Sequence, residues 1–303
     1  MDIRTNTISK ERIRLAIFCL YFCSGMCFSS WASRIPDIKN SLGLGDAAWG
    51  TILLMIPIGQ ICGMTISGLL ISRVGSKRIL PLALTGYVLA LLLIGLSGSE
   101  YALIMSLIFF GFCGNFCNIS VNTQAVTLEA TYNKPIMASF HGGWSLAGLA
   151  GASVGLLMAS LKFKPIYHFC IIGTLVLIAV YLNMRYLQAD LKKQKDPSDI
   201  AARKKNKPEK FLFLLGIVAF CGMAAEGAMA DWSGLYLIDV VGTPVHMAPI
   251  GLAAYMITMA SGRFVIDKAT QKWGSQRVVQ VGGILIATGL FAAVAFPPFI
   301  TTI

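Results

Sequence analysis

Long apolar stretches separated by short polar segments make up most of this chain of 303 residues. The stretches cover residues 15–34, 47–71, 79–98, 101–128, 136–160, 165–187, 211–238, 246–266 and 278–297. About twenty apolar residues in a helix cross the hydrocarbon core of a bilayer. A helix also satisfies its own backbone hydrogen bonds where no water is present to do so. The pattern therefore predicts an all-α membrane protein with about nine transmembrane helices.

The composition of the chain is typical of a protein embedded in a bilayer rather than one surrounded by water. Hydrophobic residues make up 56% of the chain and charged residues 13%, whereas a soluble domain carries about a quarter charged residues. All eight cysteines lie inside predicted spans. Cys19, Cys23 and Cys27 share one helix face, but no histidine or acidic residue accompanies them in that span. We interpret them as packing residues and expect no metal site, no cofactor and no disulfide framework.

The basic residues lie mostly on one side of the predicted spans. If the N-terminus is cytoplasmic, only four of the 25 lysines and arginines fall on the outer side, namely Arg34, Lys39, Lys162 and Lys164. Lysine and arginine concentrate on the cytoplasmic side of membrane proteins. We therefore predict a multi-pass protein of a bacterial inner membrane with a cytoplasmic N-terminus. The same distribution accounts for the net charge of +11, so we expect no nucleic-acid partner.

A polar, lysine-rich segment at 188–210 divides the spans into six and three. We interpret it as a cytoplasmic linker between an N-terminal six-helix bundle, residues 1–187, and a partial C-terminal bundle of three helices, residues 211–303. This linker is the only long hydrophilic connection that the hydropathy pattern predicts between spans.

The three spans after the linker repeat the first three. The matched positions are Gly50 with Gly251 and Gly75-Ser76 with Gly274-Ser275. Parallel six-helix repeats with the substrate site between them are a known transporter architecture. Such a plan predicts twelve spans, whereas nine are found. We therefore expect either a truncated chain that does not transport or a second bundle completed by other means.

The loop after the second span resembles the signature of the major facilitator superfamily. That signature is Gly-x-Leu-x-Asp-Arg-x-Gly followed by basic residues, and it is matched here by Gly68, Leu70, Arg73, Gly75, Lys77 and Arg78. Ser72 stands where the family has Asp, and Arg263 and Asp267 belong to a degenerate second copy. The resemblance implies major-facilitator-type helical bundles. It also implies a cytoplasmic gate formed by eight of these residues, namely Gly68, Ser72, Arg73, Gly75, Lys77, Arg78, Arg263 and Asp267. The rival interpretation is that the basic residues are only positive-inside anchors.

Two further stretches resemble a branch of that family. Residues 141–148 and 224–237 are similar to the YbjJ-like transporters, which are related to fucose permeases. The resemblance implies secondary active transport. No phosphate-binding loop, nucleophile elbow or metal-ligand spacing is present, and we therefore expect neither an ATP-driven pump nor an enzyme.

Ionisable residues inside spans are expensive in a bilayer and often functional. Glu226 lies well inside the seventh span, and His141 lies near the cytoplasmic end of the fifth. A carboxylate that binds and releases a proton is what a proton-coupled symporter needs, and histidine can relay protons near neutral pH. The alternatives are a Glu226 that fixes helix packing or lines water, and a His141 that only packs.

Polar side chains on other spans predict a substrate cavity. Asn115, Asn118 and Asn122 fall on one face of the fourth span and suit hydroxyl-bearing or amide-bearing solutes. Hydrogen bonding between helices is the rival interpretation. The remaining cavity candidates are Trp144, Gln60, Tyr21 and Arg34. For Arg34, an ion pair with Asp37 in the loop is the alternative to an outer gate or an anion contact.

These observations predict a secondary active transporter for a small polar solute, sugar-like or another metabolite, working by alternating access and coupled to protons. We expect a monomer in the lipid bilayer. The alternatives are drug/proton antiport and a truncated membrane protein that does not transport. The glycines of the fifth span favour antiport only weakly, because the Gly-Pro pair of efflux proteins is missing.

Overall fold

The computed structural model describes residues 9–132, 136–190 and 210–296. The helices are α1 (Lys10–Ser33), α2 (Ile35–Ser41), α3 (Asp46–Leu53), α4 (Met55–Val74), α5 (Ser76–Leu96), α6 (Glu100–Glu129), α7 (Met137–Ser160), α8 (Pro165–Asn183), α9 (Lys210–Asp239), α10 (Pro249–Trp273) and α11 (Ser275–Ala295). Short 3-10 turns cover Met184–Tyr186 and Val245–Met247. No strand occurs in the described residues, and the all-α prediction is confirmed.

Eight helical stretches in the described part are long and apolar enough to cross a membrane. They correspond to all the predicted spans except the eighth, 246–266. Helix α10 occupies that place but is not among the eight, and its last turns carry Thr270, Gln271 and Lys272. The predicted linker lies outside the described residues between 191 and 209.

The predicted second span is broken into α3 and α4 at Leu54. Pro57 lies in the first turn of α4, and proline has no backbone N–H to donate to the preceding turn. The hydrogen-bond ladder is therefore interrupted where one continuous helix was predicted.

Two glycine turns confirm the predicted repeat locally. Gly75 joins α4 to α5 with φ of 91°, and Gly274 joins α10 to α11 with φ of 80°. In each turn the glycine N–H donates to the carbonyl four residues earlier, at 2.9 Å. Positive φ values of this kind favour glycine, so the same backbone geometry recurs at both matched positions.

The helices α1–α8 and α9–α11 are called here the N-terminal and C-terminal helices. Within the first group, α1 packs on α7 and α8, while α6 packs on α4 and α5. A buried aromatic cluster of Trp31, Trp49, Phe110 and Tyr87 joins α1, α3, α6 and α5. The C-terminal helices contact this group mainly through α10 against α7.

Helices α4 and α6 approach each other so closely that only glycine fits at the contact. A Cβ atom added at Gly59 would collide with the carbonyl oxygen of Ile108, and one added at Gly111 with that of Ile56. Small residues allow this kind of close approach between membrane helices.

We therefore expect Gly59→Ala to lower the thermal unfolding midpoint in detergent, because overpacking costs about 1–3 kcal/mol. The matched control is Gly68→Ala on the same helix, where an added Cβ has no neighbour within 4 Å. Equal midpoints for the two variants would show that the contact between α4 and α6 is looser than described.

Candidate functional site

A cavity of about 210 Å³ lies between the N-terminal and C-terminal helices. Phe28 of α1 and Trp144 of α7 form one side of its wall, and the two rings are 5.8 Å apart. The opposite side includes Met223 and Glu226 of α9 together with Tyr255 of α10. Both groups of helices therefore contribute to the wall of one cavity.

A larger cavity of about 570 Å³ adjoins it among α9, α10 and α11. Glu226 and Tyr255 line both cavities, and the rest of the larger wall is mostly apolar. Sequence reasoning found Glu226 and Trp144 but missed Tyr255. The sequence feature that could have indicated Tyr255 is that it is the single tyrosine of α10.

Glu226 is the acidic residue of this site. It lies near the middle of α9, and its side chain is exposed. Among the described residues no hydrogen-bond donor or cation pairs with it. Glu226 therefore places an unpaired carboxylate in the wall of both cavities.

Four of the predicted site residues meet in a second cluster on α1, α6 and α7. Tyr21, 2% exposed, donates to the side-chain oxygen of Asn122 at 2.5 Å. The Asn122 amide donates to the side-chain oxygen of Asn118 at 2.7 Å. The Tyr21 ring also packs edge-on against His141, with the ring centres 5.6 Å apart. This Tyr21 cluster joins α1, α6 and α7 and fixes the positions of the two α6 amides.

The third asparagine of the stripe has a different partner. Asn115 accepts a hydrogen bond from Ser67 of α4 at 3.1 Å, next to the close contact at Gly63. This geometry fits hydrogen bonding between helices. Gln60 is exposed on α4 and is not in the wall of either cavity.

Arg34 is 1% exposed at the end of α1. Its guanidinium pairs with Asp37 at 2.9 Å and donates to the carbonyl of Phe163, between α7 and α8. Burial raises the pKa of Asp37, although the charge of Arg34 opposes this shift. Both partners belong to the N-terminal helices, so Arg34 ties that group together. We call this end of the molecule the Lys39 end and the opposite one the Gly75 end.

The predicted gate residues of the first copy surround the Gly75 turn. Ser72 donates to the carbonyl of Leu69 at 2.8 Å. The side chains of Arg73, Lys77 and Arg78 are exposed and form no ion pair within the described residues. In the second copy, the side chains of Arg263 and Asp267 lie outside the described part.

An acidic residue that sequence reasoning missed caps α5. Asp190 accepts from the backbone N–H of Ser76 at 2.7 Å and from the Ser76 hydroxyl. Gln124 of α6 donates to the same hydroxyl at 2.7 Å and to the carbonyl of Gln188 at 2.8 Å. A carboxylate is favourable at a helix N-terminus. Asp190 therefore fixes the chain that follows α8 against α5 and α6.

We expect Asp190→Ala to destabilise the protein by about 0.5–2 kcal/mol, the usual loss for a helix cap. Thermal unfolding in detergent and hydrogen exchange at residues 76–79 measure the effect. Asp190→Asn keeps an acceptor and should lose less. If both variants exchange at these amides as slowly as the wild type, Asp190 does not cap α5.

No group of three metal-ligating side chains occurs in the part of the chain that the structure describes. The site therefore offers hydrogen bonds, aromatic faces and one carboxylate. These groups can bind a small molecule and a proton.

Comparison with known proteins agrees with this fold. The chain matches the Major Facilitator Superfamily over residues 17–303. The uncharacterized transporter y4wD of Sinorhizobium fredii is 29% identical over 275 residues, which are 90% of this chain and 72% of that protein. Membrane protein MosC of Rhizobium meliloti is 27% identical, covering 98% of this chain and 71% of that protein.

Solved structures show the same fold at low identity. A bacterial homolog of the human lysosomal transporter Spinster, inward-facing and unoccupied, has a TM-score of 0.70 at 15% identity. The match covers 88% of this chain and 64% of that one, so the chain spans less than two thirds of its length. The nucleoside transporter NupG has a TM-score of 0.64 at 14% identity, covering 86% of this chain and 68% of that one. The predicted major-facilitator-type helical fold is confirmed.

Proposed function

Since this chain belongs to the Major Facilitator Superfamily, we propose that it moves a small polar solute across the membrane by alternating access. The family consists of transporters and not of enzymes, and a homologue is named accordingly. The solute we propose is a neutral, hydroxyl-bearing ring compound such as a sugar or a related metabolite. The similarity of two short stretches to fucose-permease-related transporters supports the same choice.

The observation that carries this proposal is the cavity between the two groups of helices. Its wall combines Phe28 and Trp144 with Glu226 and Tyr255, so a relative movement of the groups would open it first to one side and then to the other. Flat aromatic rings offer an apolar face to a sugar ring, and a carboxylate accepts hydrogen bonds from hydroxyl groups. Among the described residues that line this cavity there is no lysine or arginine, which disfavours an anionic solute.

We further propose proton symport with Glu226 as the coupling carboxylate. A charged group in the middle of a membrane span costs at least about 2.5–3.5 kcal/mol, so a carboxylate that moves with its proton and solute avoids that cost. Glu226 has no cationic partner among the described residues that would hold it ionised. His141, one turn from Trp144 on α7 and beside Tyr21, is the second proton-coupling candidate.

The largely apolar wall favours one alternative, drug/proton antiport. Phe28, Met223 and Met256 would suit an apolar substrate that leaves in exchange for a proton. The two functions differ in the direction in which protons move relative to the solute, and a proton-flux measurement separates them.

The proposed topology follows from the charge distribution. A cytoplasmic N-terminus in a bacterial inner membrane places the Gly75 end in the cytoplasm and the Lys39 end outside. Residues 1–187 and 211–303 then move as two bundles joined by the linker, in a monomer. The first half of α9 is exposed near the Gly75 end, including Leu212, Phe213 and Phe220, and we interpret the state as inward-facing.

The proposal is tested first by finding the solute. Purified protein in detergent is screened for thermal stabilisation by neutral monosaccharides, nucleosides and apolar cations at millimolar concentration. We expect a neutral ring compound to raise the unfolding midpoint and to undergo counterflow in proteoliposomes. Stabilisation by apolar cations alone would favour antiport, and the absence of any counterflow would favour a protein that does not transport.

A further inference from the structure

One lysine at the Lys39 end is shared between carboxylates of both groups of helices. Lys39 of α2 is 7% exposed, and its ammonium pairs with Asp46 in the first turn of α3. The same ammonium lies 3.5 Å from the carboxylate of Asp239, the last residue of α9. Asp46 thus belongs to the N-terminal helices and Asp239 to the C-terminal ones.

The Asp239 pair lies at the edge of a packed contact between these groups. Helix α2 contacts α9, and a Cβ added at Gly234 would lie 3.4 Å from the Pro36 ring. Nearby, a Cβ added at Gly50 would lie 3.6 Å from the Trp232 ring. Separating the two groups at this end would therefore break the Lys39–Asp239 pair together with these contacts.

The two carboxylates differ in what happens to them on separation. Asp46 is the first residue of α3 and belongs to the same group of helices as Lys39, so their pair is kept. Asp239 is 49% exposed and would regain water readily. A buried ammonium left without a counter-ion would be costly, and Asp46 prevents that cost in the separated state.

The neighbouring charges do not compete for Lys39. Arg34 is engaged by Asp37 and by the carbonyl of Phe163. Burial lowers the pKa of Lys39, but the hydrogen bonds and charges of Asp46 and Asp239 outweigh it and raise the pKa overall. Because the raised pKa keeps the ammonium charged at every pH below it, the pairing persists across the range in which transport is measured.

We propose that Lys39 is the latch of the outer side, with Asp239 as the partner released on opening and Asp46 as the partner retained. This inference rests on the proposed alternating access. Lys39 is a positioning residue in this role, because it sets the balance between closed and open states without contacting the solute. The proposal predicts that neutralising the two carboxylates has opposite effects.

The test measures a distance across the outer side in the full chain in nanodiscs. Spin labels are attached to p-acetylphenylalanine introduced at Ser41 and at Val240. This chemistry does not label the eight native cysteines. For Asp239→Asn we expect the ratio of long to short distances to rise by about fivefold, the factor that matches the loss of a partly exposed ion pair. For Asp46→Asn we expect this ratio to fall, since opening would then leave Lys39 unpaired.

The controls separate a latch from a general structural role. Glu100→Gln changes an exposed acid at the same end and should leave the ratio unchanged, and Lys39→Arg should retain most of the closed state. Equal shifts for Asp239→Asn and Asp46→Asn, or none, would overturn the latch. The measurement needs no solute: opposite shifts without any transport would refute the proposed function alone, whereas transport without these shifts would refute the latch alone.

Discussion

Glu226→Gln is expected to abolish accumulation of solute driven by a pH gradient while leaving solute exchange in place. Glutamine preserves the shape and hydrogen bonding of the side chain but cannot carry a proton. One pH unit supports about a tenfold concentration gradient in symport with one proton, since a tenfold ratio corresponds to about 1.4 kcal/mol. In proteoliposomes with that gradient, the wild type should approach tenfold accumulation and the variant should only equilibrate.

Two comparisons show whether the carboxylate of Glu226 causes this loss. Glu226→Asp keeps a titratable group in the cavity wall and should retain part of the accumulation. Glu100→Gln removes an exposed acid from the start of α6 and should behave as the wild type. If Glu226→Gln still accumulates solute, another group carries the proton, and His141 is the next residue to replace.

Trp144→Ala is expected to raise the KM for transport by about tenfold with a smaller change in the maximal rate. Loss of an aromatic face in contact with a ring costs about 0.5–1.5 kcal/mol beyond the lost area, and about 1.4 kcal/mol corresponds to tenfold. Initial rates of uptake over a range of solute concentrations provide both constants. Trp144→Phe should recover most of the affinity because it keeps an aromatic ring beside Phe28.

The matched control for Trp144 lies on α10. Trp273 is 56% exposed at the end of that helix and lines neither cavity. Trp273→Ala should leave the KM unchanged. An equal rise of the KM in both variants would indicate a general loss of folded protein, and an unchanged KM in Trp144→Ala would remove this residue from the solute site.

Local sequence patterns were sufficient for the helices and for the repeated turn. Apolar length predicted the spans, and the matched Gly-Ser pairs predicted that Gly75 and Gly274 occupy equivalent turns. The length of the apolar stretch did not predict the break between α3 and α4, because length alone takes no account of the missing backbone N–H of Pro57. The helices and the repeated turn depend on residues that are close together in the chain, which is why the sequence reveals them.

The partners of the polar side chains depend on which helices pack together, and the sequence contains no direct signal for that. Periodicity placed three asparagines on one face of α6, yet Asn115 bonds to α4 whereas Asn122 bonds to Tyr21 of α1. The Lys39–Asp239 pair joins residues 200 positions apart. The cap formed by Asp190 is likewise not marked by any sequence motif. It becomes apparent only in the folded protein, where the segment that follows α8 lies against the start of α5.

The most direct test of proton-coupled transport at this cavity is proton movement on addition of solute. Wild-type protein is reconstituted in proteoliposomes without a pH gradient, and the external pH is followed with an impermeant dye when the solute found in the screen is added outside. We predict external alkalinisation for the wild type and none for Glu226→Gln. Acidification, or an unchanged external pH while the solute enters, would contradict the account.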